Sequence, residues 1–149
     1  MLPGDIAPGR QTAVIERLVA DLPEQTTWRR RVEPAEVASL LDDSWCLVLP
    51  SFSEGLPRVA IESLARGRPV VGSRAGGIPD AIEDGSNGLL VPAGDAPALA
   101  SALVRFFTEP GLAARLAQAA RPSAQSLLTQ PEEDAARGSA LVESTSGAD

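Results

Sequence analysis

The chain has 149 residues, 44% hydrophobic and 22% charged, so it can bury a core of ordinary globular size. Its net charge of −7 and its 3% aromatic content argue against nucleic-acid binding, whether through a basic surface or through stacking platforms. The absence of histidine removes the commonest metal ligand and acid–base group.

Two helices are predicted within residues 1–43. Apolar residues recur at helical spacing over residues 11–22, until Pro23 ends the pattern. Residues 34–43 open with proline at the first helical position and predict a short helix. Between them, "TTWRRRV" at residues 26–32 is compatible with a short strand.

Three apolar runs then alternate with helical segments. The runs are "WCLVLP", "PVVGS" and "GLLVP", and such runs are typical of parallel strands covered on both faces. Helices are predicted at residues 57–66, which Gly67 ends, and within "GGIPDAIEDG". The alternation predicts an α/β, Rossmann-like parallel sheet of three or four strands flanked by helices. The lone Cys46 and the lack of a signal-type N-terminus predict a cytoplasmic location.

The last part of the chain is predicted to be helical and then disordered. Asp95 has the position of an N-cap for the helix that follows, and a second helix covers residues 112–120. From residue 122 the composition is rich in Ser, Ala, Gly, Pro and Glu without a sustained period. We therefore predict one domain at residues 1–121 and a disordered tail at residues 122–149.

The segment "SFSEGLP" follows the first predicted strand, where open parallel sheets bind ligands. Gly55 lets the backbone approach a ligand, and the next helix points its free N–H groups at an anion such as a diphosphate. Glu62 lies about one and a half turns into that helix, and its two oxygens suit the two hydroxyls of a ribose. Glu54, in the loop, could accept hydrogen bonds from a sugar.

Both glutamates also have ordinary interpretations. Glu62 has Arg58 and Arg66 four residues away on either side and could form a surface ion pair. Glu54 could be an acid that favours the helix dipole. On spacing alone these ordinary interpretations are favoured.

The residues from Val48 to Asp95 change that balance. They closely resemble the C-terminal, donor-binding domain of family 4 retaining glycosyltransferases, which have the two-domain GT-B fold. The E-x7-E signature of that family falls on Glu54 and Glu62, and further motifs match at "GRPVV", "GGIPD" and "GSNGLLV". Many matches in one order make the resemblance specific.

The resemblance implies a nucleotide-diphospho-sugar as the donor substrate, bound without a metal or other cofactor. Glu62 would hold the ribose hydroxyls, and Glu54 would contact the donor sugar as the candidate catalytic residue. Backbone amides would bind the diphosphate. The other donor-binding residues that it implies are Ser53, Gly55, Leu56 and Pro57 along the diphosphate and Val32 beside the base.

The chain also departs from that family. It has no counterpart of the N-terminal acceptor domain or of the Arg and Lys that clamp the diphosphate, and Arg30 stands where a glycine is usual. Loss of the first strands predicts an exposed edge at "WCLVLP", open to an acceptor-domain partner or to self-association. Three functions therefore stay open: a donor-binding half that transfers sugar only with a partner, a non-catalytic nucleotide-binding or interaction module, and another enzyme on the same fold such as a nucleotide-sugar epimerase.

Overall fold

The structure is a computed structural model that describes the backbone of residues 10–29 and 31–143 and the side chains of residues 16–29 and 31–129. The chain divides into two compact units, Met1–Glu36 and Val37–Asp149, where the sequence predicts a single domain at residues 1–121. Arg30, whose effect on a base pocket is part of the sequence prediction, lies outside the described residues.

The first unit contains helix α1 (Arg10–Asp21), close to the predicted position. The main-chain N–H and the hydroxyl of Thr26 both donate to the carbonyl oxygen of Leu22, at 3.0 and 2.6 Å. These groups therefore complete the turn after α1 and are not available to a strand. In the described part of residues 26–32 no strand forms, so the optional fourth strand is absent there.

Helix α2 (Pro34–Asp42) crosses the boundary between the two units in the sequence. The second unit then alternates strands with helices, as the apolar runs predict. Its elements are β1 (Leu47–Leu49), α3 (Arg58–Ala65), β2 (Val70–Ser73), α4 (Ile78–Ala81), β3 (Gly88–Val91), α5 (Ala96–Thr108) and α6 (Leu112–Glu143).

The three strands form one parallel sheet in the order β1-β2-β3. Leu47 pairs with Val70, and Val70 pairs with Gly88. The architecture confirms the predicted α/β sheet flanked by helices. Among the described residues β1 pairs only with β2, so it is an edge strand, as the sequence predicts for this run.

The core lies on both faces of the sheet, because successive side chains of a strand point to opposite faces. Val70 packs on one face in a cluster with residues of α3 and α6. Val71 packs on the other face with Phe106 of α5 and with Leu112 and Leu116 at the start of α6. Burying a side chain of this size contributes about 1.5–3 kcal/mol to the free energy of folding. Because both faces of β2 are covered, the apolar residues Val70 and Val71 follow one another instead of alternating with polar ones.

Two predicted helix ends are confirmed. Gly67 has φ +72° just after α3, and its N–H donates to the carbonyl oxygen of Leu64 at 2.8 Å. Asp95 caps α5, because its Oδ1 accepts from the N–H of Ala98 at 2.9 Å.

Helix α6 continues through Pro122 to Glu143, which differs from the disordered tail predicted from residue 122. Ala120 and Ala124 are fully buried against the sheet face that α3 covers, and Leu127 packs beside them. Ala124 lies four residues after Ala120 and three before Leu127, which is the spacing of one helix face. The small alanine side chains allow α6 to approach α3 closely. In the described part of the chain, no helix has the length and the apolar character needed to cross a bilayer.

Candidate functional site

The loop at residues 50–57, named here the Glu54 loop, leaves the carboxyl end of β1 and leads into α3. Pro57 is buried at the start of α3, while Ser53, Gly55 and Leu56 are exposed. Among the described residues, the N–H groups of Gly55 and Leu56 donate no hydrogen bond. The loop therefore presents two unpaired backbone donors where the sequence predicts a diphosphate.

The turn at Gly76 and Gly77 packs against the backbone of this loop. The N–H of Gly77 donates to the carbonyl oxygen of Glu54 at 3.0 Å. A Cβ atom at Gly76 would lie 1.9 Å from that oxygen, and one at Gly77 would lie 2.7 Å from the carbonyl oxygen of Gly55. The pair makes a tight turn after β2, and it also allows the close approach of two backbones.

Two serines join the strand ends to the Glu54 loop. Ser73, the buried last residue of β2, donates its hydroxyl hydrogen to the carbonyl oxygen of Ser51. Ser51 in turn donates its hydroxyl hydrogen to Oε1 of Glu54 at 2.9 Å. Two successive hydrogen bonds therefore connect the half-buried carboxylate of Glu54 to the central strand, β2.

Glu62 lies on α3 with its side chain exposed, and it forms none of the predicted ion pairs within the described residues. Arg66 pairs with Asp42 instead, which also ties α3 to α2. The ordinary explanation for Glu62, an ion pair on the helix surface, therefore loses its proposed partner at Arg66.

Neither of two surface cavities encloses the two glutamates. One, of about 190 Å³, lies beside the Glu54 loop and is mainly apolar. The other, of about 350 Å³, lies between α4 and α6. The residues around the first cavity are Pro50, Phe52, Val91, Pro92, Gly94, Asp95, Ala96 and Leu99. Neither Glu54 nor Glu62 lines either of these two cavities.

Val32 is half-buried in the first unit, just before α2. Its place beside a base therefore stays a prediction. Searched over the described residues, the chain contains no group of three or more His, Cys, Asp or Glu side chains that could hold a metal ion.

Serines 51 and 73 and the contact of the glycine turn with the Glu54 loop were not predicted. The signal available in the sequence is a serine at or just after the end of each of the first two strand runs, in "LPS" and "VGS". That signal places a hydroxyl at the carboxyl edge of the sheet, but it does not identify the partner of the hydroxyl.

Comparison with known proteins gives a consistent result. The family model of glycosyl transferases group 1 matches residues 4–109. D-inositol 3-phosphate glycosyltransferase of Streptomyces griseus is 48% identical over 80 residues, which are 54% of this chain and 17% of that protein. The chain therefore spans about a sixth of the length of this curated relative.

Two solved structures are similar in fold. Sucrose-phosphate synthase from Thermosynechococcus elongatus superposes with a TM-score of 0.76 at 29% identity, over 96% of this chain and 36% of that chain. Anabaena HepE in complex with UDP and glucose superposes with a TM-score of 0.69 at 26% identity, over 92% of this chain and 39% of that chain. Both likenesses extend over nearly all of the present chain.

Proposed function

Because the chain belongs to the glycosyl transferases group 1 family, as a C-terminal GT-B domain, we propose that it binds a nucleotide-diphospho-sugar at the Glu54 loop. The observation that carries the proposal is the pair of unpaired N–H groups at Gly55 and Leu56, on a loop that the glycine turn holds in place. The presence of UDP and glucose in the complex of Anabaena HepE supports the same ligand class.

Gly55 provides a second argument. A Cβ atom at this position would meet no atom within 4 Å, and its φ is not in the left-handed region. Nothing in the described fold therefore requires glycine here. A diphosphate lying against the backbone would require it, because any side chain would occupy the space of the ligand.

The electrostatics of the Glu54 loop suit backbone recognition. The loop contains no lysine or arginine, so its positive potential comes from N–H groups and from the amino end of α3. Glu62, exposed on α3 and without a partner at Arg66, then accepts the two ribose hydroxyls. Glu54 contacts the donor sugar.

The test is calorimetric titration of the full chain with UDP, GDP and ADP and with their sugar conjugates. Gly55→Ala should abolish binding of the nucleotide that the unaltered chain prefers. It should leave the free energy of unfolding unchanged or raise it by about 0.4–1 kcal/mol, since alanine is less flexible when unfolded. Failure of every nucleotide to bind the unaltered chain would reject the proposal.

Glu62→Gln in the same titration keeps the shape of the side chain but removes its charge. Hydrogen bonds to charged groups contribute about 1.5–3 kcal/mol, so we expect at least a tenfold loss of affinity. The matched control is Glu83→Gln, because Glu83 is an exposed glutamate outside the Glu54 loop and α3. Equal nucleotide affinities of the two variants would show that the charge of Glu62 does not contribute to binding.

Transfer with retention at the sugar carbon is proposed to need an acceptor-binding partner, since most of the length of the curated relative lies outside the match. The free edge of β1, where Val48 is 37% exposed, is the surface we propose for that partner or for a second copy of the chain.

Nucleotide binding without transfer in any mixture would favour the second candidate, a non-catalytic binding or interaction module.

A further inference from the structure

We propose that Ser51 is a positioning residue, which fixes the carboxylate of Glu54 so that its second oxygen, Oε2, faces the donor sugar. Ser73 anchors Ser51 from the central strand. This inference rests on the proposed function, and it adds two residues that the donor-site motif does not contain.

The hydroxyl of Ser51 has one hydrogen, and the carboxylate of Glu54 can only accept. The 2.9 Å contact between Ser51 Oγ and Glu54 Oε1 therefore uses that hydrogen. Among the described residues no donor bonds Oε2, so one oxygen is held and the other is available. A hydrogen bond to an ionised acceptor is about twice as strong as one between neutral groups, which favours a single side-chain orientation.

The backbone of Glu54 is fixed independently. Its carbonyl oxygen accepts from the N–H of Gly77, which lies in the turn after β2. Since Ser51 holds the side chain and Gly77 holds the backbone, loss of Ser51 should free the carboxylate without moving the loop. The two effects can therefore be separated by mutation.

Ser73 makes the position of Ser51 depend on the sheet. Its side chain is 1% exposed, and its hydroxyl donates to the carbonyl oxygen of Ser51, 22 residues away in the sequence. The hydroxyl of Ser73 also lies 3.5 Å from the carbonyl oxygen of Leu49, but its shorter contact is with Ser51. The hydroxyl of Ser51 in turn donates to Glu54. A buried donor used in this way sets where the loop leaves the sheet.

The role of Ser51 predicts an effect on the sugar and none on the diphosphate. The diphosphate would be bound by backbone N–H groups of Gly55 and Leu56, which do not depend on the Glu54 carboxylate. Ser51→Ala should therefore weaken binding of UDP-glucose but leave binding of UDP unchanged. A merely structural serine would weaken both.

The experiment titrates the full chain and its variants with UDP and with UDP-glucose. For Ser51→Ala we expect UDP-glucose affinity to fall roughly fivefold to tenfold, the loss that one hydrogen bond accounts for, with UDP affinity within about twofold. Ser51→Thr should restore most of the loss, because threonine also carries a hydroxyl on Cβ. Ser101→Ala, an exposed serine on α5, is the control and should change neither affinity.

The outcomes separate this inference from the proposed function. Binding of UDP and UDP-glucose by the unaltered chain with equal losses in Ser51→Ala, or with no loss, would overturn the positioning role and leave donor binding intact. Failure of the threonine variant to recover would also overturn it. If the unaltered chain binds neither probe, the positioning role toward a glucose donor is overturned, and donor binding is then decided by the titrations with GDP and ADP and their sugar conjugates.

Discussion

A single glycine, Gly76, determines how closely the turn after β2 approaches the Glu54 loop. It has φ +52°, and a Cβ atom there would lie 1.9 Å from the carbonyl oxygen of Glu54. Since that oxygen belongs to the backbone, no side-chain rotation can relieve the clash. We expect Gly76→Ala to lower the free energy of unfolding by more than about 2 kcal/mol, measured by urea denaturation.

Gly85→Ala is the matched control for that variant. Gly85 also has positive φ, at +81°, but a Cβ atom there would meet nothing within 4 Å. The free energy of unfolding of Gly85→Ala should fall only by the cost of the left-handed conformation for a residue with a Cβ atom, about 1–2 kcal/mol. The difference between the two variants measures the contact with the Glu54 loop, and equal losses would show that this contact is not tight.

The positions of Glu54, Gly55 and Pro57 could be predicted from the sequence, because strand, loop and helix start are local patterns. The hydrogen bond from Ser73 to Ser51 could not, since it joins residues 22 positions apart and depends on how two strands pair. The glycine turn illustrates both cases. Its conformation follows from "GG", but its contact with the loop is a tertiary property.

Among the elements, the three strands agree with the sequence prediction because each is a short apolar run between turn residues. β2 and β3 are buried on both faces, as such runs predict, whereas the edge strand β1 is only partly buried and exposes Val48. The sequence of residues 26–32 is compatible with a strand, but no strand forms in its described part, because Thr26 completes the turn after α1. Helix α6 was predicted too short. Its buried positions beyond Pro122 include Ala124, and an alanine among serines gives almost no signal of hydrophobic period.

Ala124→Asp tests whether the chain beyond Pro122 is part of the core. Ala124 is fully buried beside Ala60, Leu64 and Ile82, so an aspartate there would place an unpaired charge in an apolar cluster. We expect a loss of roughly 3 kcal/mol or more in the free energy of unfolding, measured by chemical denaturation.

Gln125→Asp places the same residue one position further along α6, where the side chain is exposed. It carries the same helix propensity and the same added charge, so it should cost less than about 1 kcal/mol. A disordered tail, as the composition suggests, would make the two variants equivalent. The comparison therefore distinguishes the packed helix from the compositional prediction.

At the scale of the whole molecule, the chain consists of two compact units, whereas the sequence predicts a single domain. The boundary at Glu36 falls inside α2, two residues after the proline, Pro34, that begins the helix. Local patterns mark that helix correctly. They do not show which side of it packs with which residues, because compactness depends on contacts between distant parts of the chain.

The net charge of −7 makes the proposed donor site unusual for an anion site, and it leads to a prediction about salt. Screening lengths fall from about 30 Å at 0.01 M to about 8 Å at 0.15 M ionic strength. Long-range repulsion between an acidic protein and a diphosphate is therefore weakened by salt, whereas hydrogen bonds from Gly55 and Leu56 act at contact distance. We expect UDP affinity, measured by calorimetry at these two ionic strengths, to stay constant or to rise a few-fold with salt. A loss of about tenfold or more would instead indicate that lysine or arginine side chains hold the phosphates, as they do in a site that works by charge neutralisation.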